Sequence, residues 1–135
     1  MMALNVARYV GIPYKERGRS AAGADCWGIC LMFAREQLRV ELPEYFYSET
    51  DLLEAAPGLI EGATRPGGRW VQVERPALGD VAVFRIKGLP THCGLVLVGG
   101  LFLHSLPGRN ATVESLNDLD WTNRLIGCYR WTLES

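Results

Sequence analysis

Gly23-Ala24-Asp25-Cys26-Trp27-Gly28 opens the stretch on which the fold turns. From Cys26 onward, apolar residues recur at Cys26, Ile29, Cys30, Phe33, Ala34 and Leu38. That i, i+3, i+4, i+7 spacing predicts a half-buried helix ending near Leu38–Val40, before Leu42-Pro43. Asp25 is a good N-cap, because its carboxylate can accept the first free backbone N–H groups. Cys26 then falls in the first helical turn, where unpaired amides and the helix dipole favour a thiolate.

Outward from this helix, the chain divides into a helical first half and a strand-rich second half. Leu4–Val10 reads as a short helix before Gly11-Ile12-Pro13. Ser48 or Thr50 could cap a second helix through Asp51–Ala56, interrupted by Pro57-Gly58 and resumed at Leu59–Glu61. Gly62–Gly68 reads as a loop. Strands are expected at Trp70–Val73, Val81–Ile86, His92–Val98, Leu101–Ser105, Ala111–Glu114 and Cys128–Thr132. Gly99-Gly100 is a hairpin signal, and Pro76–Asp80 a turn. The pattern predicts an α+β domain over residues 1–135, with helices packed on an antiparallel sheet of about five to six strands.

Composition sets outer limits. A chain of 135 residues, 48% hydrophobic and 21% charged, suits one globular domain. A net charge of −1 gives no electrostatic case for nucleic acid, and no apolar run is long enough to cross a membrane. Met1–Tyr9 lacks the basic and apolar regions of a signal peptide, so none is expected. Four scattered cysteines do not make a disulfide scaffold, and Cys30, Cys93 and Cys128 read as small buried hydrophobes.

The only two histidines, His92 and His104, lie in strand-like segments. His92 follows a loop, Lys87–Thr91, expected to leave it accessible. A turn symmetric about Gly99-Gly100 would set His104 near residue 95, about three residues' rise (roughly 10 Å) from His92. His92 could then serve Cys26 as general base, with His104 orienting its ring. Taken singly, a cysteine or histidine is more often a structural residue. A zinc site from Cys26, Cys30, His92 and Cys93 or His104 is disfavoured, since structural zinc ligands usually come from knuckles or turns. No metal or cofactor is called for.

With these residues in order, the chain resembles the NlpC-type cysteine peptidases, a papain-like superfamily, and in particular their phage tail assembly branch. The resemblance runs through Gly11-Ile12-Pro13-Tyr14, Gly23-Ala24-Asp25-Cys26-Trp27-Gly28, Pro76–Val81, His92-Cys93-Gly94-Leu95-Val96 and Leu103-His104. No single box is specific; five in order are. The resemblance implies Cys26 as nucleophile, His92 as general base and His104 as the third member. It implies Tyr14 lining the site or assisting the oxyanion. It implies that Asp25, besides capping, could meet a substrate amine. Gly79-Asp80 would be structural.

The resemblance implies hydrolysis of an amide bond in a peptidoglycan stem peptide, next to the D-glutamyl residue. The expected setting is a phage or prophage tail, with tail proteins as partners and synthesis in the bacterial cytoplasm. Trp27, where cell-wall enzymes commonly carry serine, favours the phage branch and weakens the case for a cell-wall substrate pocket. A tail assembly component with weak or vestigial activity is the alternative. The stretch Tyr45–Trp70, rich in Gly and Pro, is expected to shape access to the site.

Overall fold

The computed structural model describes residues 4–44, 55–64 and 68–132. In chain order they form a short ribbon (β1, Arg19–Ser20; β2, Gly23–Ala24), α1 (Cys26–Gln37) and α2 (Ala55–Thr64). Then follow β3 (Trp70–Val73), β4 (Val81–Ile86), β5 (Leu89–Val96), β6 (Leu101–His104), β7 (Thr112–Ser115), α3 (Leu119–Thr122) and β8 (Leu125–Trp131). The main sheet has six antiparallel strands in the order β3-β8-β4-β5-β6-β7. This is the expected α+β architecture.

Strand alternation gives the sheet two apolar faces. Val81, Val83, Cys93, Leu95, Leu103 and Tyr129 share a core with α1. Ala82, Phe84, Val96, Phe102 and Cys128 form a second core with Trp121. Every residue of α1 from Trp27 to Ala34 is buried, so the helix is wrapped more completely than its periodicity suggested. The N-terminal segment and the loop after α1 supply the extra cover. Tyr9 stacks edge-on to Phe33 at 5.1 Å, and the Trp27 indole donates to the Pro43 carbonyl at 3.0 Å. Burying a side chain such as Phe33 contributes about 2 kcal/mol.

Four expectations need correction. Leu4–Val10 contributes only a 3-10 turn at Val6–Arg8, capped by the Asn5 side chain. Pro57-Gly58 does not interrupt α2; Pro57 lies in the first turn of the described helix, where amides have no partner inside the helix. Gly62 is helical, and a Cβ there would come within 2.8 Å of the Trp70 ring, so it lets α2 close onto β3. Lys87–Thr91 is not a loop. Lys87 and Gly88 alone make a hairpin turn with φ of 52° and 80°, and β5 begins at Leu89. The proposed caps Ser48 and Thr50 lie outside the described residues, as does part of Tyr45–Trp70.

Candidate functional site: a thiol at a helix start facing a line of polar side chains

The helix start is built around Asp25. Its carboxylate accepts from Gly28 N–H (2.7 Å), Arg17 N–H (2.9 Å) and Arg19 Nη1 (2.8 Å), and only 3% of the residue is exposed. Arg19 in turn forks onto Glu44. Gly28 is required here, because a Cβ would strike the Gly18 carbonyl of the incoming loop. Pro13 O accepts from Ala24 N–H at 3.0 Å, and Ser105 Oγ–H donates to Ala24 O at 3.0 Å. The loop before Cys26 is thereby tied both to the Gly11–Tyr14 segment and to the end of β6.

The helix presents Cys26 to a split in the sheet. The β5–β6 ladder pairs Leu95 with Leu103 and Val96 with Phe102. The amides of a strand point alternately to its two neighbours. Val96 N–H reaches Asp80 O on the β4 side, and Leu97 N–H reaches Leu101 O on the β6 side. By that alternation Cys93 N–H points toward β6 beyond the end of the ladder, on the side where it can influence the Cys26 sulfur. The split also lets Cys26 touch side chains from both faces of β5. The Cys93 thiol, the His92 ring and Cys93 N–H are all close enough to act on the charge of its sulfur.

These contacts set the charge state of the thiol. The Cys93 hydrogen bond is the strongest influence; it and the His92 contacts outweigh burial and hold the Cys26 thiol well below its usual range. Cys93 moves the opposite way, raised by its bond to Cys26 and by burial, so it keeps its proton as donor. Burial likewise raises Cys30, and raises Cys128 to about 11.

Behind Cys26, His92 Nε2 lies 2.8 Å from His104 Nδ1, and His104 Nε2 lies 2.6 Å from Glu114 Oε2. With Nε2 of His92 committed to His104, Nδ1 is the nitrogen left for the sulfur. Burial first, then the neighbouring His92, lowers His104 to about 4. Burial opposes the charge on Glu114, but hydrogen bonds from Trp121 and His104 overcome it and lower its carboxyl. The rings of Phe84, Phe102 and Trp121 surround the two imidazoles at centroid distances of 4.5–5.8 Å. Among the four residues of this line, Cys26 and Glu114 reach the surface, while His92 and His104 are 2% and 1% exposed. The expected accessibility of His92 is therefore replaced by burial, because β5 starts three residues earlier than the sequence indicated.

Cys26, His92 and His104 thus come together. Tyr14 is half-buried close enough to feel Cys26 and Asp25; burial foremost, then those two charges, raises its hydroxyl, which keeps its proton. Asp25 lies beneath Cys26 with both oxygens engaged by protein donors. Trp27 is fully buried near Trp70, so it does not line an open pocket. Among the described residues no group of three or more His, Cys, Asp or Glu is placed to hold a metal ion. Glu114 and Trp121 were not singled out from sequence. Alternation along Ala111–Glu114 put Thr112 and Glu114 on one face, but nothing local fixed their register on β6.

Comparison with known proteins bears on the family and the fold. Residues 11–130 match the NlpC/P60 family. Over 118 residues the chain is 25% identical to "Murein DD-endopeptidase MepS/Murein LD-carboxypeptidase" of Escherichia coli K12, covering 87% of this chain and 55% of that protein. Over 126 residues it is 26% identical to "Probable peptidoglycan endopeptidase LytE" of Bacillus subtilis, covering 90% of this chain and 31% of that one. The chain therefore spans about half or less of the length of these relatives. An NLP/P60 family structure from Staphylococcus aureus superposes with a TM-score of 0.64 at 23% identity, covering 94% of this chain and 39% of that one. With its fold shared and its sequence matched from Gly11 to Arg130, the chain belongs to the NlpC/P60 family, a family of cysteine peptidases.

Proposed function

We propose that this protein is a cysteine peptidase that hydrolyses an amide bond of peptidoglycan stem peptides, between the D-glutamyl residue and the following diamino acid. The observation that carries this reading is the Cys26 sulfur at a helix N-terminus, with His92 close enough to help hold its thiol below the usual range. The names of the two murein and peptidoglycan endopeptidase relatives support the substrate class.

In this reading the Cys26 thiolate attacks the carbonyl carbon, forming a C–S bond and an oxyanion. The backbone N–H of Cys26, one of the first-turn amides without a helical partner, faces that oxyanion, with the Tyr14 hydroxyl as second donor. The His92 imidazolium passes its proton to the leaving nitrogen as the C–N bond breaks. Water, deprotonated by His92, then cleaves the thioester and restores the thiol. His104 holds the His92 ring in line.

The finer setting is a phage or prophage tail, with synthesis in the bacterial cytoplasm and assembly with tail proteins. The Cys26-Trp27-Gly28 box supports this branch. A second reading, a tail component with weak or vestigial activity, draws on the burial of His92 and the partial exposure of Cys26. The test is digestion of purified muropeptides followed by mass spectrometry. Release of a fragment ending in D-glutamate, lost in Cys26→Ala, is expected. An intact substrate together with an unreactive Cys26 would leave the second reading.

A further inference from the structure

We propose that Glu114 is a positioning residue: acting through His104, its carboxylate holds His92 in the tautomer whose Nδ1 lone pair faces the Cys26 thiol. This rests on the reading of Cys26 and His92 as the reactive pair, and it adds a member that the Cys-His-His reading does not contain.

Strand register places the three side chains on one diagonal. Continuing the β5–β6 ladder by one step puts His104 opposite Gly94, two residues from His92 and on the same face. Across the next ladder His104 pairs with Thr112 and Phe102 with Glu114, so Glu114 again lies two residues along on the shared face. Diagonal neighbours of this kind are within reach of long side chains. The diagonal is closed by contacts of 2.8 Å and 2.6 Å.

Proton positions then follow from the end of the line. An ionised carboxylate only accepts, so His104 Nε2 must carry the proton. A neutral His104 has its lone pair on Nδ1, so His92 Nε2 must donate. A neutral His92 is left with its lone pair on Nδ1, ready for the thiol proton. The reverse order would set a lone pair against the carboxylate at 2.6 Å. Trp121 and the positive charge of Arg109 both favour the ionised form of the carboxylate. When His92 becomes an imidazolium, Glu114 places a negative charge at the far end of the same hydrogen-bonded line. The other titratable groups around the line are Tyr14, Asp25, Cys30 and Cys93, all near Cys26. The Glu114 side chain is 30% exposed, so replacing it does not open the core.

The chain has only two histidines, so a 15N spectrum of the rings contains four nitrogens. In Cys26→Ala protein, long-range 1H–15N correlation is expected to show both rings protonated at Nε2. Adding Glu114→Ala is expected to bring protonated Nδ1 into the His92 signal, and Glu114→Asp to restore the original pattern at least in part. With Cys26 intact, Glu114→Ala is expected to slow iodoacetamide labelling of Cys26 about tenfold near pH 6, equivalent to one pKa unit. An unchanged His92 tautomer and an unchanged labelling profile in Glu114→Ala would overturn the proposal. Equal loss in Glu114→Ala and Glu114→Asp, matched by equal loss of unfolding midpoint, would overturn it too, by reducing Glu114 to a structural residue. Neither readout uses peptidoglycan, so failure of the substrate reading is seen separately.

Discussion

Gly94 makes the room in which His104 sits. A Cβ at position 94 would lie 3.3 Å from the His104 Cβ and 2.7 Å from Cδ2 of Phe102, both of them buried. The missing side chain lets His104 lean along the sheet to meet His92 at 2.8 Å. Gly94→Ala should therefore overpack this spot, lowering stability by about 1–3 kcal/mol in urea unfolding. It should also reduce turnover far more than that loss explains, since His104 is displaced. A variant with normal kcat would show that the contact between the two imidazoles is dispensable.

The lowered thiol of Cys26 predicts a distinct pH profile. Labelling by iodoacetamide should persist below the range of a free cysteine and fall only as pH drops through the lowered pKa. Cys93→Val removes the hydrogen bond with the largest influence, so the midpoint should rise, with labelling near pH 6 slowed about tenfold per unit. Cys30, Cys93 and Cys128 are buried with raised thiols, so labelling should report Cys26. An unchanged profile would mean that the neighbouring thiol has no influence.

Asp25 distinguishes a building role from a substrate role. Its carboxylate caps α1 and holds Arg17 N–H and Arg19. Asp25→Ala should cost about 1–2 kcal/mol, read as a lower unfolding midpoint. Asp25→Asn keeps an acceptor for Gly28 N–H and should lose less. If Asp25→Asn instead raised KM with stability intact, the carboxylate would be meeting a substrate amine.

The Asp80–Arg130 pair ties the start of β4 to β8. Asp80 is 2% exposed and receives Arg130 Nε at 2.8 Å, Arg130 Nη2 at 2.9 Å and Ala77 N–H at 2.7 Å. Arg130→Ala strands a buried carboxylate with one donor, and should destabilise by about 1–3 kcal/mol. The partial exposure of Arg130 favours the lower end. Thermal unfolding of this variant should show the loss while Cys26 labelling at neutral pH stays unchanged.

Much of this was legible in the chain because it is local. The spacing of apolar residues after Cys26 and the capping chemistry of Asp25 act within a few residues, and both set α1 as found. Short apolar runs bounded by turn signals likewise marked β4, β6 and the core of β5. The burial of His92 was not legible, since it depends on what packs and pairs around it from elsewhere in the chain.

The order of residues alone determined which groups could do chemistry: one thiol at a helix start and two imidazoles on neighbouring strands. Their meeting was decided by a single step of register. A turn centred between Gly99 and Gly100 would place His104 opposite residue 95, on the other face from His92. The observed connection, Val98–Gly100 with Gly99 and Gly100 at φ of 77° and 76°, shifts the pairing by one and puts His104 opposite Gly94. Because side chains alternate with a period of two, that one step moves His104 onto His92's face and brings Glu114 into line behind it. Register is a property of loop geometry and packing together, which only the tertiary structure supplies.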